Sequence, residues 1–240
     1  MKYVLDSHTH TLASGHAYST IHEMAYQAAA KGLELLGITE HAPKMPGTCH
    51  EYYFMNLRIL ERSMCGIEVL FGAEVNILDY DGNLDMDDSL LKKMDVAIAS
   101  LHTPCIKSGT REENTRACLN AMKNPYINII GHPDDSRFPL DYEALVLGAK
   151  EHQVLLELNN NSLHPLGARE NPIPNDIAML EMCKKYQVPI ILGSDAHCAA
   201  DVGNHQFIDQ LFECFEFPEE LIVNRSVDEY KKYINRYKNR

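Results

Sequence analysis

The chain alternates short apolar runs with helix-like stretches, and this rhythm limits its folds more than any other feature. The runs are 3–10, 33–41, 68–78, 96–102, 127–132, 154–159 and 189–197. Each is rich in Val, Ile and Leu and short enough for a strand covered on both faces. The intervening stretches carry helix start signals: Thr20-x-x-Glu23, Thr110-x-x-Glu113 and Ser226-x-x-Glu229 all fit a capping box. The segment 25–31 is alanine-rich and Gly32 stands where a helix would stop. Strand and helix alternating along an undivided chain imply a parallel sheet. No glycine-rich dinucleotide turn follows the first run, and only seven strand units are found where a complete (β/α) barrel has eight. The expectation is an α/β fold, a distorted (β/α)7 TIM-like barrel, with residues 1–240 forming a single domain.

Composition narrows the function. A hydrophobic content of 45% supports a buried core, and a formal net charge of −12 disfavours nucleic acid and anionic membranes as partners. No run approaches the roughly 18 apolar residues of a membrane span. The opening Met-Lys-Tyr-Val-Leu-Asp has no secretory pattern, and the seven cysteines form no Cys-x-x-Cys pair. A cytoplasmic chain with reduced cysteines is expected.

The strand ends carry the chemistry. His8 and His10 close the first run, His41 the second, His102 the fourth, His132 the fifth, and Asp195 with His197 the seventh; Glu74 lies within the third. In a parallel barrel these ends open onto one face. The i, i+2 spacing of His8 and His10 places both imidazoles on one side of the strand, and the same holds for Asp195 and His197. A lone histidine is as readily a hydrogen-bonded core residue, but five of seven runs ending in histidine is poorly explained that way. Imidazoles and carboxylates without clustered thiolates suit Zn²⁺, Mn²⁺ or Fe²⁺. With His16, nine candidate ligands are present, more than one zinc uses. Two or three ions are therefore expected, with Glu74 as a bridge. Asp6 either orients an imidazole or is a buried charge at the strand start. His22, His50, His152, His164 and His205 receive no metal role, and His50 and His164 read as surface. Arg111, Arg137 and Arg169 read as solvated, and Asn159–Asn161 serve either a turn or the functional face.

The ordered set His8-x-His10, His16, Thr39-Glu40-His41, Glu74, His102, Gly131-His132-Pro133 and Gly193-Ser194-Asp195-Ala196-His197 resembles the PHP (polymerase and histidinol phosphatase) superfamily. "HAYST" and "LELNNNS" are most similar to its small, free-standing YcdX-like phosphatases. The resemblance implies a trinuclear centre. One ion would be held by His8, His10, Glu74 and Asp195, a second by Glu74, His102 and His132, and a third by His16, His41 and His197. Three divalent ions less two carboxylates leave roughly +4, so the pocket would attract anions. The expected reaction is hydrolysis of small phosphate monoesters by metal-bound hydroxide, with Asp195, His197 or a metal-bound water protonating the leaving group. Histidinol-phosphate phosphatase and phosphodiesterase are alternatives within the superfamily. An amidohydrolase-type C–N hydrolase is more distant, because the fourth run ends Ser100-Leu101-His102 without a bridging lysine. The oligomeric state is not read from the sequence.

Overall fold

The computed structural model of the chain describes residues 2–238. Eight strands occur: β1 (Leu5–Asp6), β2 (Leu35–His41), β3 (Ser63–Met64), β4 (Ile67–Asn76), β5 (Ala97–Ser100), β6 (Ile129–Ile130), β7 (Leu155–Asn159) and β8 (Ile190–Gly193). Seven of them run parallel in the order β1-β2-β4-β5-β6-β7-β8 and make a nearly closed barrel. The eighth, β3, is antiparallel to the start of β4 and joined to it through Cys65 and Gly66, both at positive φ. No sequence signal singled out this hairpin.

Helices α1 (Ile21–Ala30), α2 (Glu51–Asn56), α3 (Asp88–Leu91), α4 (Arg111–Met122), α5 (Tyr142–His152), α6 (Pro172–Tyr186), α7 (Gln206–Cys214) and α8 (Val227–Lys231) complete the regular structure. Reciprocal capping boxes start α1 and α4 as the sequence implies. At α8 only half of the box forms, with Ser226 accepting from the Glu229 N–H. No helix among the described residues is long and apolar enough to cross a membrane.

Alternation along the strands divides the core in two. Leu36, Ile38, Val69, Phe71, Ala97 and Leu156 face the helices, whereas Leu5, Leu35, Leu70, Ile98, Leu155 and Ile191 fill the barrel. Val223, Tyr230 and Ile234 from the C-terminal segment join the inner cluster and plug its base.

That segment also completes the wall. Between β1 and β8 the missing pairing is supplied by Asn224. Its side chain accepts from the Leu192 N–H (2.7 Å) and donates to the carbonyls of Leu192 (2.8 Å) and Leu5 (3.1 Å). Its own carbonyl accepts from the Val4 N–H (2.8 Å). Higher up, the two edges touch directly: Asp195 N–H donates to the His8 carbonyl and His10 N–H to the Ala196 carbonyl, both at 2.9 Å. The seam is thus tightest at the end where the histidines gather.

Candidate metal centre

Most candidate ligands sit just past the strand ends rather than on them. Strand β1 stops at Asp6, β5 at Ser100, β6 at Ile130 and β8 at Gly193, so only His41 and Glu74 lie within ladders. Beyond the end of β1 a parallel bridge from Thr9 to Ala196 keeps the chain extended, and the His8 and His10 rings point at one carboxylate oxygen as their i, i+2 spacing implies. Their Nε2 atoms stand 3.5 and 3.6 Å from Glu74 Oε2. His132 and Asp195 adopt left-handed backbone, with φ of 31° and 53°. Strain of this kind persists where surrounding bonds enforce it. Here the His132 N–H donates to Glu157 Oε2 at 2.8 Å and the Asp195 N–H to the His8 carbonyl.

Glu74 is the hub. It is fully buried; Oε1 lies 2.7 Å from His132 Nε2 and 3.1 Å from His102 Nε2, and Oε2 lies 2.7 Å from His41 Nδ1. Asp195 Oδ1 stands 3.2 Å from His10 Nε2. His16 Nε2 is 3.2 Å from His197 Nε2. All nine residues thus converge. Ligand atoms within 4.8 Å of one another form three overlapping groups: His8, His10 and Glu74; His41, Glu74 and His102; His10, His41 and His197. His10 takes part in two of them, where the resemblance assigns it to one ion.

The donor set fits divalent cations. His8 Nε2, His10 Nε2, His41 Nδ1, Glu74 Oε2 and Asp195 Oδ1 are buried without a hydrogen-bond partner. Buried polar atoms are ordinarily satisfied, so five orphans facing one another mark a place for cations.

The rings are held from behind. His8 Nδ1 meets Glu157 Oε1 at 2.7 Å and His102 Nδ1 meets Asn76 Oδ1 at 2.7 Å. His10 Nδ1 meets Ser14 Oγ at 3.1 Å, and that hydroxyl donates to Glu40 at 2.6 Å. His197 Nδ1 donates to the Asp195 carbonyl at 2.9 Å. Each contact turns the other ring nitrogen inward as a lone-pair donor. Glu157 fits only because β8 carries Gly193 opposite: a Cβ there would lie 1.8 Å from Glu157 Oε1.

Charge states follow from this crowding. Burial alone would lift the Glu74 carboxyl, but the imidazoles of His102, His41 and His8 outweigh it and hold it well below the usual range. Asp195 is lowered similarly, burial being overcome by His8 and Arg169. Burial pushes His132 down to about 4. For His8 burial acts downward, but Glu157, Asp195 and Glu74 together raise it well above its ordinary value.

Among the described residues, Asp6 hydrogen-bonds to none of the candidate ligand rings. Its carboxylate accepts from the Ser194 and Gly203 N–H groups and the Ser194 hydroxyl, stapling β1 to the turn after β8. The imidazole partner is instead Glu157, which sequence reasoning missed; its one signal is a lone acid inside the apolar run "LLELN". Arg169 also departs from expectation. Its side chain is 14% exposed and its Nη2 lies 3.0 Å from Asp195 Oδ2. Arg137 lines the same cleft, paired to Asp135, while Arg111 pairs with Asp141 away from it. Asn159 serves both readings: its amide donates to Glu157 and Asp195, and its oxygen closes a turn by accepting from the Ser162 N–H. His50 caps α2, and His205 is buried. None of the seven cysteines is bonded to another.

Above the histidines opens a cavity of about 390 Å³ bordered by His16, His41, His102, Arg137, Arg169 and His197. Comparison with known proteins agrees with the residue pattern. The PHP domain profile matches residues 6–167. A probable phosphatase of Clostridium novyi (strain NT) is 47% identical over 234 residues, covering 98% of this chain and 95% of that protein. One from Acetivibrio thermocellus is 44% identical, covering 100% of this chain and 98% of that protein. Among solved structures, histidinol phosphate phosphatase from Lactococcus lactis, complexed with zinc, L-histidinol and phosphate, shares the fold at a TM-score of 0.55 and 17% identity. That match covers 90% of this chain and 95% of that one. The chain belongs to the PHP domain family.

Proposed function

We propose that the protein hydrolyses small phosphate monoesters at a centre of three divalent ions, Zn²⁺ foremost with Mn²⁺ or Fe²⁺ as substitutes. The ligands are His8, His10, His16, His41, Glu74, His102, His132, Asp195 and His197. One observation carries the reading: three buried, unpartnered imidazole nitrogens, of His8, His10 and His41, face an equally unpartnered oxygen of Glu74, with the unpartnered Asp195 Oδ1 beside them. Bound there, divalent ions supply Lewis acidity toward phosphate oxygens and an acidified water. The probable-phosphatase relatives, aligned over nearly the whole chain, support the same reaction class.

The protein's own groups do the rest. Glu74 and Asp195 stay anionic because the imidazoles and Arg169 hold them so. Arg169 faces the cleft while tied to Asp195, and a guanidinium so placed orients an equatorial phosphate oxygen. Asp195 and His197 lie at the cavity wall; Asp195, held anionic, accepts a proton from water and relays it with His197 to the departing alcohol. The test is elemental analysis of protein purified without added metal, followed by p-nitrophenyl phosphate turnover after chelation and after restoring Zn²⁺ or Mn²⁺. Turnover indifferent to chelation, or cleavage of amides alone, would overturn the proposal.

A further inference from the structure

The cleft has two arms that meet at Asp195 and His197 and share Asn161 and Leu166 as a dividing wall. Leu166 is 88% exposed and stands over the junction. The first arm carries both guanidiniums, Arg137 and Arg169. The second, about 370 Å³, has no lysine or arginine among the described residues of its walls. It offers Asp201, the amides of Asn204 and Gln206, the His164 imidazole and the Phe207 ring.

Local bonds set what these groups can still recognise. Asn160 Oδ1 accepts from the N–H groups of Phe207 (2.9 Å) and Ile208 (3.4 Å), which fixes the start of α7. The Phe207 ring meets His164 edge to face, with centroids 5.1 Å apart. His164 Nδ1 accepts from the Leu166 N–H, leaving Nε2 for another partner. Asn204 Oδ1 is taken by the Gln206 N–H, leaving its NH₂ group. The Cys198 thiol donates to one Asp201 oxygen, leaving the other.

We infer that the second arm is a leaving-group subsite for a neutral or cationic, hydrogen-bonding alcohol, and that it disfavours one bearing a second anionic group. This rests on the phosphatase reading. The phosphoryl group is drawn to the centre, where the ions and Arg169 gather positive charge. The alcohol part then falls across His197 into an arm whose unshared charge is Asp201. A carboxylate or second phosphate there meets that like charge and finds no cation.

The test uses the metal-loaded protein. Calorimetry compares two non-hydrolysable ligands of similar size, 2-aminoethylphosphonate and phosphonoacetate. Turnover compares phosphoethanolamine, glycerol 1-phosphate and 3-phosphoglycerate. The aminoethyl ligand is expected to bind at least tenfold tighter, and 3-phosphoglycerate to be the poorest ester by a similar factor. Asp201→Lys, at an exposed position, is expected to shrink both preferences below threefold while inorganic phosphate binds within twofold of before. Equal binding of the two phosphonates, or a preference that survives Asp201→Lys, overturns the subsite. Hydrolysis of all three esters without discrimination does so too and leaves the phosphatase reading standing. Discrimination between the phosphonates with no ester turned over overturns the phosphatase reading and supports the arm as a recognition site for a cationic phosphorylated ligand.

Discussion

At the scale of single residues, Glu157 is the position whose loss should be felt furthest. Through one carboxylate it orients His8, whose Nε2 faces Glu74 and Asp195 at 3.5 and 3.7 Å, and pins the strained backbone of His132. Glu157→Gln is expected to weaken metal binding about 10–100-fold, a usual effect of losing such a supporting contact. Competition with a chromophoric chelator measures it. A second prediction concerns two carboxyls beside the site. Asp176 is fully buried and neither of its oxygens has a hydrogen-bond partner. Burial, followed by the neighbouring Asp134, raises it well above the ordinary range, and burial lifts Asp134 to about 6. An acid with a raised folded value contributes stability at low pH that is lost as pH climbs through that value. Asp176→Asn should therefore stabilise the chelated protein by about 1–3 kcal/mol at pH 8 and by almost nothing at pH 4, as read from thermal unfolding. The convergence of the nine candidate ligands was legible because histidine is rare and strand ends repeat it. Glu157 and Arg169 were not, since one lies inside an apolar strand and the other on a loop whose path sequence does not give.

At the scale of elements, all seven apolar runs became strands, but several are shorter than their runs. The run 3–10 yields only Leu5–Asp6, and 127–132 only Ile129–Ile130. Apolar patterning marks burial, and burial continues past the last ladder bond, so it overstates strand length where the chain kinks toward the site. The capping boxes at Thr20 and Thr110 were legible because a cap is a local bond. Asn224 was not, because its partners Leu5 and Leu192 are distant in sequence. Asn224→Ala would leave buried backbone groups unpaired in the seam. A loss of about 2–4 kcal/mol is expected from several such groups, seen as a lower urea midpoint. A substitution that leaves the midpoint unchanged would show that the seam does not depend on this side chain.

At the scale of the whole molecule, a net charge of −12 surrounds a centre built to gather cations. Long-range attraction of this kind favours loading with divalent ions at low salt. In the metal-free protein Glu157, Asp195 and Glu74 overcome the burial of His8 and favour its protonated form. Loading must expel that proton, so apparent affinity should rise with pH, and calorimetry in buffers of different ionisation heat should register proton release. The stabilising share of protonated His8 is fully present below about pH 6.5 and fades as pH rises through its raised value. The melting temperature of chelated protein should accordingly fall as pH rises above about 6.5, while that of loaded protein changes less. The barrel was legible from strand count and spacing, whereas its closure was not, being made by chain far from the strands it joins.

That closure carries a consequence for synthesis. Asn224, Tyr230 and Ile234 leave the ribosome only after all seven parallel strands, yet they cork the barrel and bridge its first strand to its last. A growing polypeptide therefore exposes sticky hydrophobic staves, and a cage with one side ajar, until that segment has emerged. Premature stop codons a few positions upstream of 224 should leave protein that aggregates and is degraded.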